Sequence, residues 1–270
     1  MNTQYRVITW NCRRAKATSA VWDYLLDLAP DVALLQEIGE LPERVAHHYD
    51  SRLVHPRKKT GGDQRFQTGI LVRGSIIEPL PMSGPYDWVD EELEYFAGNL
   101  PAFSIELENG IRLNAVSVYS PAWPVSRSRL KGLDISDVKL TQNPDVWVAD
   151  LLWASLKHHL PNATADWLIA GDFNSSETFD QWPGGPRGNR EYLDRMASLG
   201  LVECLRHVQG QLTPTFRNAR GGEMKHQMDH LFVTSGVAAH LASCETGSAE
   251  QVLDRGLSDH LPIVADFTSE

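Results

Sequence analysis

The chain has 270 residues, 42% of them hydrophobic, which is enough apolar material to bury a sizeable core in one large domain. Lys and Arg total 25 against 35 Asp and Glu, and the resulting net charge of −10 opposes broad electrostatic capture of a polyanion, so any contact with nucleic acid has to be local. No apolar run approaches the roughly 20 residues that cross a bilayer, the first residues lack the order of a signal peptide, and Cys12, Cys204 and Cys244 are too widely spaced for a zinc site or a disulfide framework, so a cytoplasmic protein without a transmembrane segment is the expectation.

Residues 5–10 alternate and are rich in β-formers, which predicts a first strand. Residues 19–29 then carry Val21, Leu25 and Leu28 at helical spacing before Pro30 stops the helix. The short apolar run 32–35 predicts a second strand, ending in the polar pair Gln36 and Glu37. Further on, Arg57, Lys58, Lys59 and Arg65 surround Gly61 and Gly62 in a segment that reads either as a loop able to approach phosphate or as a solvated surface loop.

Residues 102–108 and 111–119 flank Asn109-Gly110, a dipeptide suited to a tight hairpin turn. Apolar residues at 146, 149, 152, 153, 156 and 160 predict a helix over 145–160, followed by a buried strand at 167–170. After a Gly- and Pro-rich loop at 183–188, a helix is expected over 191–199, ended by Gly200, with strands at 228–234 and 262–267. Hairpins together with strand–helix–strand units call for a mixed layered α/β or α+β arrangement, and the absence of repeats or long polar linkers favours one domain over 1–270.

Five apolar strands end abruptly in groups that bind metal or phosphate: Thr9-Trp10-Asn11, Leu35-Gln36-Glu37, Ile169-Ala170-Gly171-Asp172-Phe173-Asn174, Gln227-Met228-Asp229-His230 and Leu257-Ser258-Asp259-His260. A core offers no partners for so many polar groups, so their convergence on one cleft is the simpler account. A hard cation such as magnesium takes oxygen ligands and needs only one or two carboxylates. Glu37 is the leading ligand candidate, Asn11 can add an amide oxygen or orient that carboxylate, and Asp172 can serve as a ligand or take a proton from attacking water. His260 can stabilise charge on a phosphoryl oxygen if a carboxylate fixes its tautomer, a role suited to Asp229.

In number and order these segments resemble the endonuclease/exonuclease/phosphatase superfamily, the deoxyribonuclease-I-like fold, almost from end to end. The matching runs are Trp10-Asn11, Pro30-Asp31-Val32-Ala33-Leu34-Leu35-Gln36-Glu37, Gly171-Asp172-Phe173-Asn174, Met228-Asp229-His230 and Ser258-Asp259-His260-Leu261-Pro262-Ile263. The resemblance implies an α+β (mixed α/β) four-layered sandwich of two mixed β-sheets flanked by helices, and a Mg2+- or Mn2+-dependent phosphoester hydrolysis. It implies Glu37 as metal ligand with Asn11 assisting, Asp172 and Asn174 positioning water and phosphoryl group, and an Asp229–His260 pair opposite the metal. Asp259 becomes a further metal or hydrogen-bonding ligand, and Tyr119 falls where apurinic-type endonucleases carry a phosphate-contacting tyrosine.

The departures bear on substrate. Ile38-Gly39 stands where apurinic-type nucleases usually carry Lys two positions after the glutamate, Ser175-Ser176-Glu177 replaces their continuation, and Gln227 replaces a frequent arginine. The inositol-phosphatase signatures are missing, with Pro121-Ala122-Trp123-Pro124 only an echo of one. Abasic-site repair is therefore disfavoured, and the expectation is a nuclease-like phosphodiesterase on DNA, RNA or a nucleotide-like substrate. The alternatives are a phosphomonoesterase on a small soluble or lipid-derived phosphate, and a non-catalytic binding protein of the same fold. Trp88, Trp123 and Trp182 lie in segments that read as loops, where each either anchors its loop or stacks on a base or lipid-like group.

Overall fold

The computed structural model describes residues 4–183, 187–218 and 222–268, so residues 184–186 of the expected Gly- and Pro-rich loop lie outside the described residues. In chain order the elements are β1 (Gln4–Ala15), α1 (Val21–Leu28), β2 (Val32–Ile38), α2 (Glu43–Ala46), β3 (Asp50–Val54), β4 (Gln67–Val72), β5 (Gly74–Pro79) and α3 (Asp87–Tyr95). They continue through β6 (Ala102–Leu107), β7 (Arg112–Tyr119), α4 (Val148–His159), β8 (Trp167–Asp172), α5 (Asn189–Ser198) and β9 (Leu201–Glu203). The last are α6 (Cys204–Gln209), β10 (Asp229–Thr234), α7 (Ser235–Ala238), β11 (Leu241–Thr246) and β12 (Ile263–Thr268).

Two six-stranded sheets result, ordered β11-β12-β1-β2-β4-β3 and β5-β6-β7-β8-β10-β9. Each has one parallel pair at its centre, β1–β2 in the first and β7–β8 in the second, and every other pairing is antiparallel. A parallel pair needs a crossover, and α1 and α4 supply the two. The expected hairpin joins β6 to β7, with Gly110 at φ 85 and its N–H bonded to the Leu107 carbonyl.

Side-chain alternation sorts each strand between two faces. Tyr5, Val7, Val32, Leu34, Ile70 and Val72 of the first sheet meet Leu113, Ala115, Leu168, Ala170, Leu231 and Val233 of the second in an inter-sheet core. Ile8, Trp10, Ala33 and Leu35 face outward onto Val21, Trp22 and Leu25 of α1. Val116, Val118 and Ile169 face outward onto α3, α4 and α5. Three apolar interfaces thus separate four layers, the expected two-sheet sandwich flanked by helices.

Trp88 departs from the sequence reading. It lies within α3 rather than a loop and packs in the apolar cluster on the outer face of the second sheet. Trp123 does lie in a loop, but its ring packs 5.8 Å from that of Phe96.

Candidate functional site

The parallel pairs decide where the polar strand ends go. Within each pair both strands finish at the same end, and β1, β2, β7 and β8 carry Asn11, Glu37, Tyr119 and Asp172 there. The expectation that all five polar groups end strands fails for two of them: the antiparallel neighbours begin at this rim, so Asp229 opens β10 opposite Asp172, and His260 lies three residues before β12. The inward positions change character as the rim approaches: apolar residues give way to Thr9, Gln36 and Ser117, then to the acids and amides. Gln36 Nε2 donates to the Leu34 carbonyl at 3.0 Å and to Ser117 Oγ at 3.1 Å, forming a polar floor between core and cleft.

Asp172 is buried, and both of its oxygens accept hydrogen bonds. Oδ2 accepts from Asn11 Nδ2 at 3.0 Å and from Asn174 Nδ2 at 3.2 Å, and Oδ1 accepts from the Asn174 N–H at 3.0 Å. Asn174 adopts a left-handed φ of 48 and donates from Nδ2 to the Ser120 carbonyl at 2.8 Å, which ties the loop after β8 to the end of β7. Burial pushes the Asp172 carboxyl up to about 7, with the Asp229 charge adding to it, while His260, Asn11 and Asn174 act in the opposite sense.

His260 donates from Nδ1 to Asp229 at 2.9 and 3.1 Å, which leaves Nε2 uncommitted to that carboxylate. Thr215 holds Asp229 in turn, donating to Oδ2 at 2.6 Å while its hydroxyl accepts the N–H groups of Met228 and Asp229. Burial alone lowers the affinity of His260 for a proton, but the Asp229 and Asp172 charges outweigh it and raise the imidazole to about 10. Its main chain is fixed by Trp10 Nε1 donating to the His260 carbonyl at 2.9 Å and by Ser258 Oγ accepting the His260 N–H at 3.1 Å. Carboxylate and ring atoms of Asp172, Asp229 and His260 lie within 4.8 Å of one another.

Glu37 lines the same cleft, of about 480 Å3, with Asp259. Its backbone is left-handed at φ 51, its Oε1 accepts from the Tyr119 hydroxyl at 3.4 Å, and its Oε2 lies 3.3 Å from Arg14 Nε. Burial raises the Tyr119 hydroxyl well above its ordinary range, helped by the Glu37 and Asp172 charges, so it stays protonated. Asp259 pairs with Arg13 at 3.7 Å.

Arg13 and Arg14 escape the sequence reading, although they follow Asn11 by two and three positions. Both sit at left-handed φ, 47 and 59, in a bulge of β1 where Asn11 Oδ1 accepts the Arg13 N–H at 3.0 Å. That bulge accounts for glycine at position 39: a Cβ there would stand 2.6 Å from the Arg14 carbonyl and 2.7 Å from that of Ala15. No side chain fits, so a lysine at 39 is incompatible with this backbone.

The other expected binding residues lie apart from these groups. Arg57 bonds Asp63 at 2.7 Å and the Tyr95 carbonyl at 2.9 Å, Lys58 is half-buried, and Lys59 and Arg65 are exposed. Their segment is anchored to the rim through Asn99, which accepts the Arg57 N–H and donates to the Tyr119 carbonyl. Phe66, next to Arg65, meets the Tyr119 ring at 5.3 Å.

The donors suit a hard divalent cation on the Glu37 side of the cleft. Glu37 and Asp259 supply carboxylate oxygens at an accessible surface, and Asn11 Oδ1 keeps a second lone pair. The Asp172–Asp229–His260 cluster, by contrast, is buried, and its two carboxylates are engaged by Asn11, Asn174, Thr215 and His260.

The sequence model of the Endonuclease/Exonuclease/phosphatase family matches residues 8–260. No curated protein sequence matches the chain. Among solved structures, a 3′ phosphatase from Neisseria, bound to a product DNA hairpin, aligns with a TM-score of 0.66 at 18% identity, covering 97% of this chain and 99% of its own. An AP endonuclease from Archaeoglobus fulgidus aligns at 0.67 with 17% identity, over 97% and 99% of the two chains. An endonuclease/exonuclease/phosphatase from Beutenbergia cavernae gives 0.60 at 17% identity, over 97% and 71%. Identities this low establish the shared fold and leave substrate open. Among the described residues no helix is long and apolar enough to cross a membrane.

Proposed function

The chain belongs to the endonuclease/exonuclease/phosphatase family and is a hydrolytic phosphoesterase; from that premise we propose that it cleaves a phosphodiester, nuclease-like, in a nucleic acid or nucleotide-like substrate. The observation carrying this reading is the buried Asp172 beside the Asp229–His260 pair, facing Glu37 and Asp259 across one cleft. The kinship in fold with a DNA-bound 3′ phosphatase and an AP endonuclease supports a phosphorylated polymer or a fragment of one as substrate.

Each residue acts through its geometry. Asp172, held on both oxygens by Asn11 and Asn174, takes the proton of the attacking water. His260, kept cationic by Asp229, presents Nε2 to a phosphoryl oxygen and stabilises the charge that grows on it. Glu37, with Asp259 and Asn11, would hold Mg2+ or Mn2+, and the bound cation would supply Lewis-acid polarisation of the phosphoryl group. Tyr119 remains a hydrogen-bond donor toward Glu37 or the phosphate.

Purified protein with magnesium is expected to hydrolyse a simple diester and to lose that activity in EDTA, with recovery on adding Mg2+ or Mn2+. Glu37→Gln should raise the metal concentration for half-maximal activity about tenfold or more. Turnover indifferent to chelation would sink the metal assignment. A parallel assay on a monoester separates the phosphodiesterase from a phosphomonoesterase.

Arg14 is largely exposed beside Glu37 and ring-stacked on Phe66 at 5.3 Å, a cation placed to meet an incoming phosphate. Arg14→Ala is expected to raise KM about three- to tenfold with kcat nearly unchanged, an effect shrinking at high salt as screening removes the attraction. A variant whose KM matches the parent at low salt would remove Arg14 from substrate capture.

A further inference from the structure

Gln227 and His230 flank Met228 and Asp229, and both are buried. Alternation along β10 turns the His230 ring to the face opposite the Asp229 carboxylate, where it packs edge-on against Phe173 at 5.5 Å. Its Nε2 lies 3.0 Å from the Ser175 carbonyl oxygen, which only accepts, so Nε2 carries the proton. Its Nδ1 lies 3.3 Å from Gln227 Nε2. Thr213 fixes which end of that amide faces the ring, because its N–H donates to Gln227 Oε1 at 3.1 Å. The amide nitrogen therefore donates to Nδ1, and the imidazole is the Nε2–H tautomer with both nitrogens in use. Glu203 Oε1, 3.8 Å from Nδ1, is beyond hydrogen-bonding distance and accepts the Leu231 N–H instead.

This bonded chain joins two segments that serve the site from different sides. Thr213 stands two residues before Thr215, which holds Asp229, and Ser175 directly follows Asn174, which holds Asp172. Asn174 needs such an anchor. Its φ of 48 is a left-handed conformation that residues other than glycine seldom occupy and that persists where surrounding contacts impose it. A second anchor comes from Asn189, whose Oδ1 accepts from the Ser175 hydroxyl at 2.9 Å and from the Ser176 N–H at 3.3 Å. Asn189 sits at the half-buried start of α5, whereas His230 is buried on the strand paired with β8. The histidine therefore refers Ser175 to the same strand that carries Asp229.

We propose that His230, in the tautomer that Gln227 selects, is a positioning residue for Asp172. By holding the Ser175 carbonyl it keeps Asn174 folded back onto the Asp172 carboxylate, with its N–H on Oδ1 and Nδ2 on Oδ2, so that the carboxylate keeps one orientation toward the attacking water. The proposal rests on the reading of Asp172 as the proton acceptor in phosphodiester hydrolysis and deepens it. It also gives the glutamine at 227 a task. An arginine there could donate to Nδ1 but has no acceptor, so the Thr213 N–H would lose its partner and one side chain could no longer bridge the two segments.

Two measurements test this on the full chain, and the first needs no turnover. In NMR spectra of 15N-labelled protein the His230 ring should show a protonated Nε2 and a bare Nδ1, and the Asn174 backbone N–H should exchange slowly with water. His230→Phe keeps a ring against Phe173 but donates nothing, and it should speed that exchange about tenfold or more. His230→Gln, which retains a donor for the Ser175 carbonyl, should keep most of the protection. The second measurement is steady-state kinetics on a simple diester with magnesium. His230→Phe should lower kcat about thirtyfold with KM within about threefold of the parent, and His230→Gln should recover at least about a third of the parental kcat. A ring protonated on Nδ1, Asn174 exchange or kcat unchanged in His230→Phe, or a glutamine variant as impaired as the phenylalanine one would each overturn the proposal. If the unaltered protein turns over no diester, the phosphodiesterase reading fails, and the ring tautomer with the Asn174 exchange still decides whether His230 places Asn174.

Discussion

Replacing Asp172 with asparagine is expected to lower kcat by about three orders of magnitude while changing KM little, the range attributed to a positioned general base. The amide keeps the size of the carboxylate but cannot accept the proton of water. It also meets donors from Asn11 and Asn174 that both need an acceptor, so one of them loses its partner whichever way the amide turns. Steady-state kinetics on a simple diester check this, and a loss under tenfold would mean that Asp172 does not handle the proton. The pH profile gives an independent reading. A base acts when deprotonated, so kcat/KM should rise with pH as Asp172 ionises, at about pH 7 and lower once a cation adds positive charge to the cleft. His260 serves as a cation, and its raised affinity keeps the proton until about pH 10, so activity should fall as pH passes that value. Asp172→Asn should remove the rising limb, and His260→Ala the falling one.

Gly171→Ala is expected to destabilise the protein by about 3 kcal/mol or more, at the upper end of overpacking effects. Gly171 faces Val118 across the parallel β7–β8 pair, and a Cβ there would overlap the Val118 carbonyl, which is backbone and cannot swing aside. Its φ of 157 adds strain for any other residue. For a chain of this size the melting temperature should fall by about 6–12 °C. Gly200 provides the contrast, with φ 80 and open space to 4 Å around the position a Cβ would take, so Gly200→Ala should cost only the conformational penalty of about 1 kcal/mol. Equal thermal shifts in the two variants would refute the close-approach argument. Gly171 precedes Asp172, so the same clash should also displace the carboxylate and depress activity in whatever fraction stays folded.

Most of the local structure is legible in the sequence because its cause is local. Alternation announces β1, helical spacing and Pro30 bound α1, Asn109-Gly110 announces the hairpin, and polar groups beside apolar runs mark Asn11, Glu37, Asp172 and Asp229 as candidates, although Asp229 opens its strand rather than ending one. Some edges move for reasons that contacts supply. The helix expected from 145 begins at Val148 because Asp150 holds the Trp147 N–H and keeps that residue extended. Trp88 reads as a loop residue in the sequence, since a helix of nine residues rich in acids gives a weak apolar stripe until the outer sheet face covers it.

By itself the sequence determined where apolar strands meet polar groups and in what order along the chain, because a period of two and a change from apolar to polar are properties of neighbours; which of those groups end a strand and which open one it did not. Only the tertiary structure decided that these ends share a rim, since that depends on two parallel pairs stacked with their carboxyl ends together. It also decided the partners that have no signal in their own neighbourhood: Thr215 beneath Asp229, Asn99 beneath Tyr119, and the left-handed Arg13 and Arg14 that Gly39 makes room for. Ser175 and His230, 55 residues apart in sequence, are bonded because β8 and β10 pair side by side. The physical reason is the same throughout: periodicity is written in adjacent residues, whereas charge coupling, desolvation and steric fit arise between residues that only packing brings together.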